Sequence, residues 1–192
     1  MRIWRLFPDT NSRYAGVIPT DEFFTDRRLK RYWYFEIGNK PEGTQYTPVE
    51  VHKRYKSKKL WNIPYFFDRL VIIDEKAKAS LEPLLKNCNV EILPLICKDA
   101  PLYIINYLDR FKAEDVLDME RSVVKRYECT GDIMYVSRHY FKKALIADKH
   151  IFSVHSLTVC DDEFKNAVVD SGLTGLCFQL LWQCDDKDVS LV

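Results

Sequence analysis

The tightest constraint in this chain is a helix whose two ends are both written into the sequence, set between two apolar runs over residues 157–182. Leu157, Val159 and Cys160 close the first run. Asp161 then stands where an N-cap belongs, and Asp162 and Glu163 place negative charge at the positive end of the helix that follows. Phe164, Ala167, Val168 and Ser171 recur at helical spacing, opposite a wet face of Lys165, Asn166 and Asp170. Gly172 ends the helix as a left-handed C′ residue, with Leu173 placed to fold back on Val168. After the turn at Thr174 and Gly175, Leu176 to Trp182 is too apolar and too short for anything but a mostly buried strand. The unit is strand–helix–strand, and it carries no catalytic group.

The same grammar extends upstream. Met1 to Phe7 reads as a first strand, with Ile3, Leu6 and the aromatics on its apolar side. Residues 16–57 are punctuated by Pro19, Gly38, Pro41, Gly43 and Pro48, and only Val49 to Tyr55 alternates like a strand. Leu70 to Ile73 is a strand and Asp74 an N-cap. Ala77, Leu81, Leu84 and Leu85 then form the stripe of a short helix that Pro83 is expected to interrupt. Val90 to Ile96 and Leu102 to Leu108 are two more strands. Asp132 to Val136 leads to a helix capped by Ser137, with Tyr140, Phe141, Ala144 and Leu145 inward, and then to a strand at His150 to Val154. Short capped helices between hairpin-like strands predict an α+β fold with a mixed or mostly antiparallel sheet in a single globular domain. A chain of 192 residues that is 47% hydrophobic can bury a sizeable core without staples.

Reactive chemistry is sparse. The six glycines form no phosphate-cradling loop, and neither G-x-S-x-G nor H-E-x-x-H occurs. The acidic cluster of Asp109, Glu114, Asp115, Asp118 and Glu120 is the most enzyme-like feature. If residues 113–122 are helical, Glu114 and Asp118 share a face, and such a face is more often solvated than catalytic. Asn106, inside an apolar strand, is expected to be satisfied by backbone or a turn. Cys88, Cys97, Cys129, Cys160, Cys177 and Cys184 show no C-x-x-C spacing and read as buried, reduced thiols. Pairing His155 with Cys160, or Cys177 with Cys184, at a zinc lacks the usual knuckle. The expectation is therefore no enzyme, no metal and no cofactor.

Charge is uneven along the chain. Residues 1–60 hold 13 basic and 7 acidic side chains, whereas residues 155–192 hold 2 and 7. Two basic, aromatic stretches cause the first excess: Arg27, Arg28, Arg31, Tyr32, Trp33 and Tyr34 within one, and His52 to Lys59 in the other. Trp, Tyr and Arg are enriched at protein–protein hot spots, so the first stretch is the candidate partner-binding segment, with the acidic tail at Asp185, Asp186 and Asp188 as its rival. The alternative is a nucleic-acid-binding module, since rings stack on bases and cations attract phosphate; the compensating acidic half disfavours it. No run approaches the ~20 apolar residues needed to span a bilayer, and the N-terminus lacks a secretory core segment, which points to the cytoplasm.

A resemblance adds to this reading. Gly172-Leu173-Thr174-Gly175-Leu176 with Phe178 and Trp182, preceded by Asp161 and Phe164, resembles the C-terminal hallmark of immunity family eleven of the bacterial polymorphic toxin systems. Met1 to Leu6, Trp61 with the strand at 70–73, Asn106, Leu117 to Ser122 and Ile151-Phe152 match it more loosely. Residues 67–192 are thus the family-like part and residues 1–66 the divergent part. The resemblance implies a protein of interbacterial competition that binds and neutralises a cognate toxin domain by stoichiometric occlusion. The apolar run from Leu176 to Trp182 separately makes Trp182 a core residue. Trp182→Ala is expected to cost about 3–5 kcal/mol of stability in urea unfolding, and a midpoint equal to wild type would refute its burial.

Overall fold

Alternation along the strands sorts side chains into separate apolar layers, and the layers define the architecture. The computed structural model describes residues 1–9, 13–19, 45–64, 70–155 and 157–184. In chain order the strands begin with β1 (Arg2–Pro8), β2 (Tyr14–Ala15), β3 (Val17–Pro19), β4 (Glu50–Lys53) and β5 (Lys59–Leu60). Next come β6 (Val71–Asp74), helix α1 (Glu75–Leu85), β7 (Val90–Cys97), β8 (Leu102–Tyr107) and β9 (Arg110–Phe111). The short helix α2 (Ala113–Val116) leads to β10 (Val123–Arg126) and β11 (Ile133–Arg138). The chain continues through α3 (Lys143–Ile146), β12 (Ile151–Val154), β13 (Leu157–Cys160), α4 (Asp162–Asp170) and β14 (Leu176–Gln183).

One five-stranded sheet has the order β14-β1-β13-β12-β9 and the other β3-β4-β7-β8-β6, with β10-β11 and β2-β5 as two-stranded ribbons. Within the sheets only β9–β12 and β4–β7 pair in parallel, so the fold is α+β with mixed, mostly antiparallel sheets. Val71 and Ile73 of β6 face a central layer with Ile105 and Tyr107 of β8. Leu70 and Ile72 face the opposite side with Leu102 and Ile104. The first sheet divides likewise: Leu6, Ile151 and Cys160 join the central layer, while Ile3, Phe152, Val154, Val159 and Trp182 join an outer one. Ala77, Leu81 and Leu85 of α1 and Phe164 and Val168 of α4 fill the space between the sheets. Among the described residues no helix is long and apolar enough to cross a membrane.

Both long helices are capped as their sequences dictate. Asp74 accepts from the Ala77 N–H at 2.8 Å, and Asp161 from the Phe164 N–H at 2.9 Å. At the end of α4 the Gly172 N–H donates to Val169 and the Leu173 N–H to Val168, with Gly172 at φ +59°. These are the two bonds of a Schellman motif, and Leu173 and Val168 meet in the central layer. Trp182 is 5% exposed, and its ring centroid lies 5.8 Å from that of Phe141.

Several expectations give way, the first being a mostly buried strand over residues 176–182: β14 is an edge strand in which only Trp182 is buried and Leu180 is exposed. Helix α1 runs through Pro83, which lies in its last turn, where only the bond to Ala79 is forfeited. Ser137 does not cap a helix: the β-branched and aromatic run Ile133 to Val136 prefers extended backbone, and Ser137 is the next residue of that strand. The helical part is only α3, so Leu145 is exposed rather than inward. Residues 113–122 form one turn of helix, after which Leu117 is extended. Cys129 is exposed, because it falls in the turn joining β10 to β11; no described cysteine is disulfide-bonded.

The two glycines of the terminal turn separate cleanly. A Cβ at Gly172 would meet open space, whereas one at Gly175 (φ +116°) would drive into the Ile63 carbonyl and against the Trp61 Cβ. Gly172→Ala is therefore expected to lose about 1–2 kcal/mol for left-handed backbone alone, and Gly175→Ala distinctly more, about 2–4 kcal/mol. Urea unfolding of both variants checks the order, and equal losses would refute the close approach.

Candidate partner interface

The outer layer of the first sheet is covered by a ribbon that also faces solvent. Val124, Ile133 and Val136 turn inward onto Phe141, Phe152 and Trp182. Their alternates, Val123, Met134 and Tyr135, with Tyr127 beyond the strand, expose between 39% and 51% of their surface. Among the described residues ten large hydrophobic side chains are exposed, and these four share one ribbon. Such clustering marks a contact surface more than scattered exposure does. Cations border it: Lys125 lies opposite Tyr135, its Nζ 6.0 Å from the ring centroid, and Val123 pairs with Arg138.

The ribbon is held in shape from both ends. Tyr127 and Asp132 close the turn through the Tyr127 N–H, and Gly131 at φ +74° lets the chain reverse. Arg126 donates to the Gly131 carbonyl at 2.8 Å and lies 3.6 Å from Glu114. At the base, Ser137 donates to the Val123 carbonyl and Ser122 accepts from the Tyr140 N–H.

Beneath the ribbon lies a cavity of about 340 Å³, lined by Arg5, Tyr135, Ser137, His139, His155 and Gln179 among others. His139 is 6% exposed, and its ring stacks at 13° on Phe141. Burial, reinforced by the Arg5 charge, pushes its pKa down to about 4. His155 occupies the β12–β13 turn with φ +52°, a left-handed position a two-residue hairpin demands.

The other reactive side chains serve architecture. Asp109 binds Lys149 at 3.2 Å and accepts from Asn89. Asp118 accepts from the Glu120 and Arg121 N–H groups and shapes a turn, so it shares no helical face with Glu114. Glu114, Asp115, Asp132 and His155 do line an open groove of about 770 Å³. Among the described residues, however, the only gathering of three metal-capable side chains is His150, Asp161 and Glu163. There Asp161 is committed: one oxygen caps α4 and the other takes the His150 Nδ1 at 2.8 Å. Asn106 also bonds to side chains, donating to Glu91 at 2.8 Å and accepting from Arg110 at 2.6 Å. His155 and Cys160 sit on opposite faces of the sheet, and burial pushes the Cys160 thiol well up.

Of the binding residues expected from sequence, Arg27, Arg28, Arg31, Tyr32, Trp33 and Tyr34 all lie outside the described residues, as do Asp185, Asp186 and Asp188. In the second basic stretch, Arg54 and Lys58 pack over the Tyr55 ring at 5.4 and 4.6 Å. Sequence reading missed the ribbon because Ser137 imitates a cap. It missed Arg5 although the signal was present: strand alternation puts Arg5 on the side of buried Ile3.

The ribbon and the strand that follows it fall inside a recognisable segment. Residues 97–181 match the model of the Immunity protein family (Imm11). The Imm11 match spans β8 to most of β14, and so contains the ribbon, α4 and the Gly172–Gly175 turn. No curated protein matches the chain.

His139 is expected to make the matched segment acid-sensitive. Its folded pKa of about 4 lies below the usual 6.5, so between these values the unfolded chain binds a proton that the folded chain refuses. The stability His139 contributes is thus complete above pH 6.5 and falls, by up to roughly 3 kcal/mol, as pH drops to 4. His139→Gln is expected to flatten that slope by about one proton. Urea midpoints measured across the window check this; identical slopes would refute it.

Proposed function

We propose that this chain is an immunity protein that binds a toxin domain encoded beside it and neutralises it in the cytoplasm by covering its active surface. The Imm11 match over residues 97–181 carries the reading. The ribbon supports it with Tyr, Met and flanking Arg, residue types enriched where proteins dock. The mechanism is occlusion by a preformed surface of standard size, about 1,600 Å² in total, with no turnover. The stretch containing Arg27, Arg28, Arg31, Tyr32, Trp33 and Tyr34 is a second proposed contact, resting on residue type alone.

Co-expression with the neighbouring toxin domain is the test. Rescue of growth and a one-to-one complex are expected. Tyr127→Ala should weaken that complex by more than about 1 kcal/mol if the ribbon is the hot spot, and Trp33→Ala by a similar amount if the basic stretch is. Rescue at sub-stoichiometric levels would point instead to an enzymatic antidote and overturn the reading.

A further inference from the structure

Arg5 lies in the wrong place for an ordinary surface arginine. It belongs to β1, between β13 and β14, with Val159 and Gln179 as its cross-strand neighbours. Trp4 and Leu6 on either side pack into the central layer, so Arg5 points with Ile3 to the outer-layer side. There the cavity beneath the ribbon receives it, alongside Leu117, Leu157 and Leu181. It is partly buried and makes no ion pair or side-chain hydrogen bond among the described residues. Its guanidinium nitrogens keep access to solvent through the cavity, so an anion entering there meets a cation with free donors.

The rest of the lining fits an anion. His139, His155, Tyr135 and Gln179 carry hydrogen-bond donors, and no carboxylate lines the cavity. The mouth adjoins the apolar outer face of β10–β11 through Tyr135, which belongs to both. A charged floor beside an exposed apolar face suits one projecting side chain of a docked protein, which would expel water from the pocket as it seats.

We propose that this cavity is an anchor pocket for an aspartate or glutamate side chain of the docking partner, with Arg5 pairing its carboxylate and the ribbon covering it. The inference rests on the immunity reading for the identity of the partner, but the pocket can be tested without the toxin. The full chain, with its histidine ring protons observed by NMR, is titrated with N-acetylglutamate α-amide, with its neutral glutamine counterpart, and with inorganic phosphate. Saturable shifts of His139 and His155 are expected with the acidic probe at about millimolar concentration, and none with the neutral one. Arg5→Met keeps the apolar stem and should weaken the probe at least about tenfold. His155→Gly, which suits the left-handed turn, serves as the second variant and should weaken it at least about threefold.

Absence of saturable shifts up to about 100 mM, equal response to the neutral probe, tighter binding of phosphate, or undiminished binding by Arg5→Met would each overturn the pocket. Because no toxin enters these titrations, their failure leaves the immunity reading standing, and failure of growth rescue leaves the pocket standing.

Discussion

The structure turns on a small polar clasp between residues far apart in sequence. Asn62 accepts from the Thr174 N–H and hydroxyl at 3.2 and 3.0 Å, and the Ile63 N–H donates to the Thr174 carbonyl at 2.9 Å. The same Asn62 donates from Nδ2 to Asp74 at 2.9 Å, while its carbonyl takes the Asp74 N–H. Asp74 in turn caps α1. One asparagine therefore joins the turn after α4 to the start of α1, the two helices that fill the space between the sheets. Gly175 permits this because its bare Cα accepts the Ile63 carbonyl, and its own carbonyl receives the Asp9 N–H. Tyr14 stacked on Trp61 at 4.3 Å shields the clasp region with apolar surface.

Polar side chains elsewhere repeat this pattern of joining elements. Glu91, Asn106 and Arg110 link β7, β8 and β9, so a charged pair spans the two sheets through a buried amide. Tyr107 sits at the same seam; burial raises its hydroxyl to about 12, despite a hydrogen bond from Thr158 and another from the Val71 N–H. These groups are occupied in holding the sheets together, whereas the β10–β11 ribbon covers the far side of the first sheet.

How far the sequence speaks depends on the range of the interaction involved. The caps at Asp74 and Asp161 and the Schellman turn at Gly172 were legible because each uses residues within one turn of the other. Strands β6, β7, β8 and β12 were legible from uninterrupted apolar runs. The ribbon was not: Ser137, Tyr140 and Phe141 mimic a capped helix locally, and only pairing of Ile133 to Arg138 with β10 settles them as extended. Pro83 was overweighted because burial of Leu81 and Leu85 on either side of it offsets the one lost bond. The cavity was illegible in a different way, since Arg5, His139, His155 and Gln179 come from four separate segments that only the sheet order brings together.

That sheet order has a bearing on synthesis. Strand β1 precedes every other described strand, and among the described residues it pairs only with β13 and β14, which come last. Until those strands emerge, Ile3, Trp4 and Leu6 have no edge to join, and the nascent chain carries an adhesive ribbon that invites mispairing or capture by chaperones. A chain cut within β14 would leave one edge of β1 unpaired, so the first sheet is expected to tolerate no truncation there.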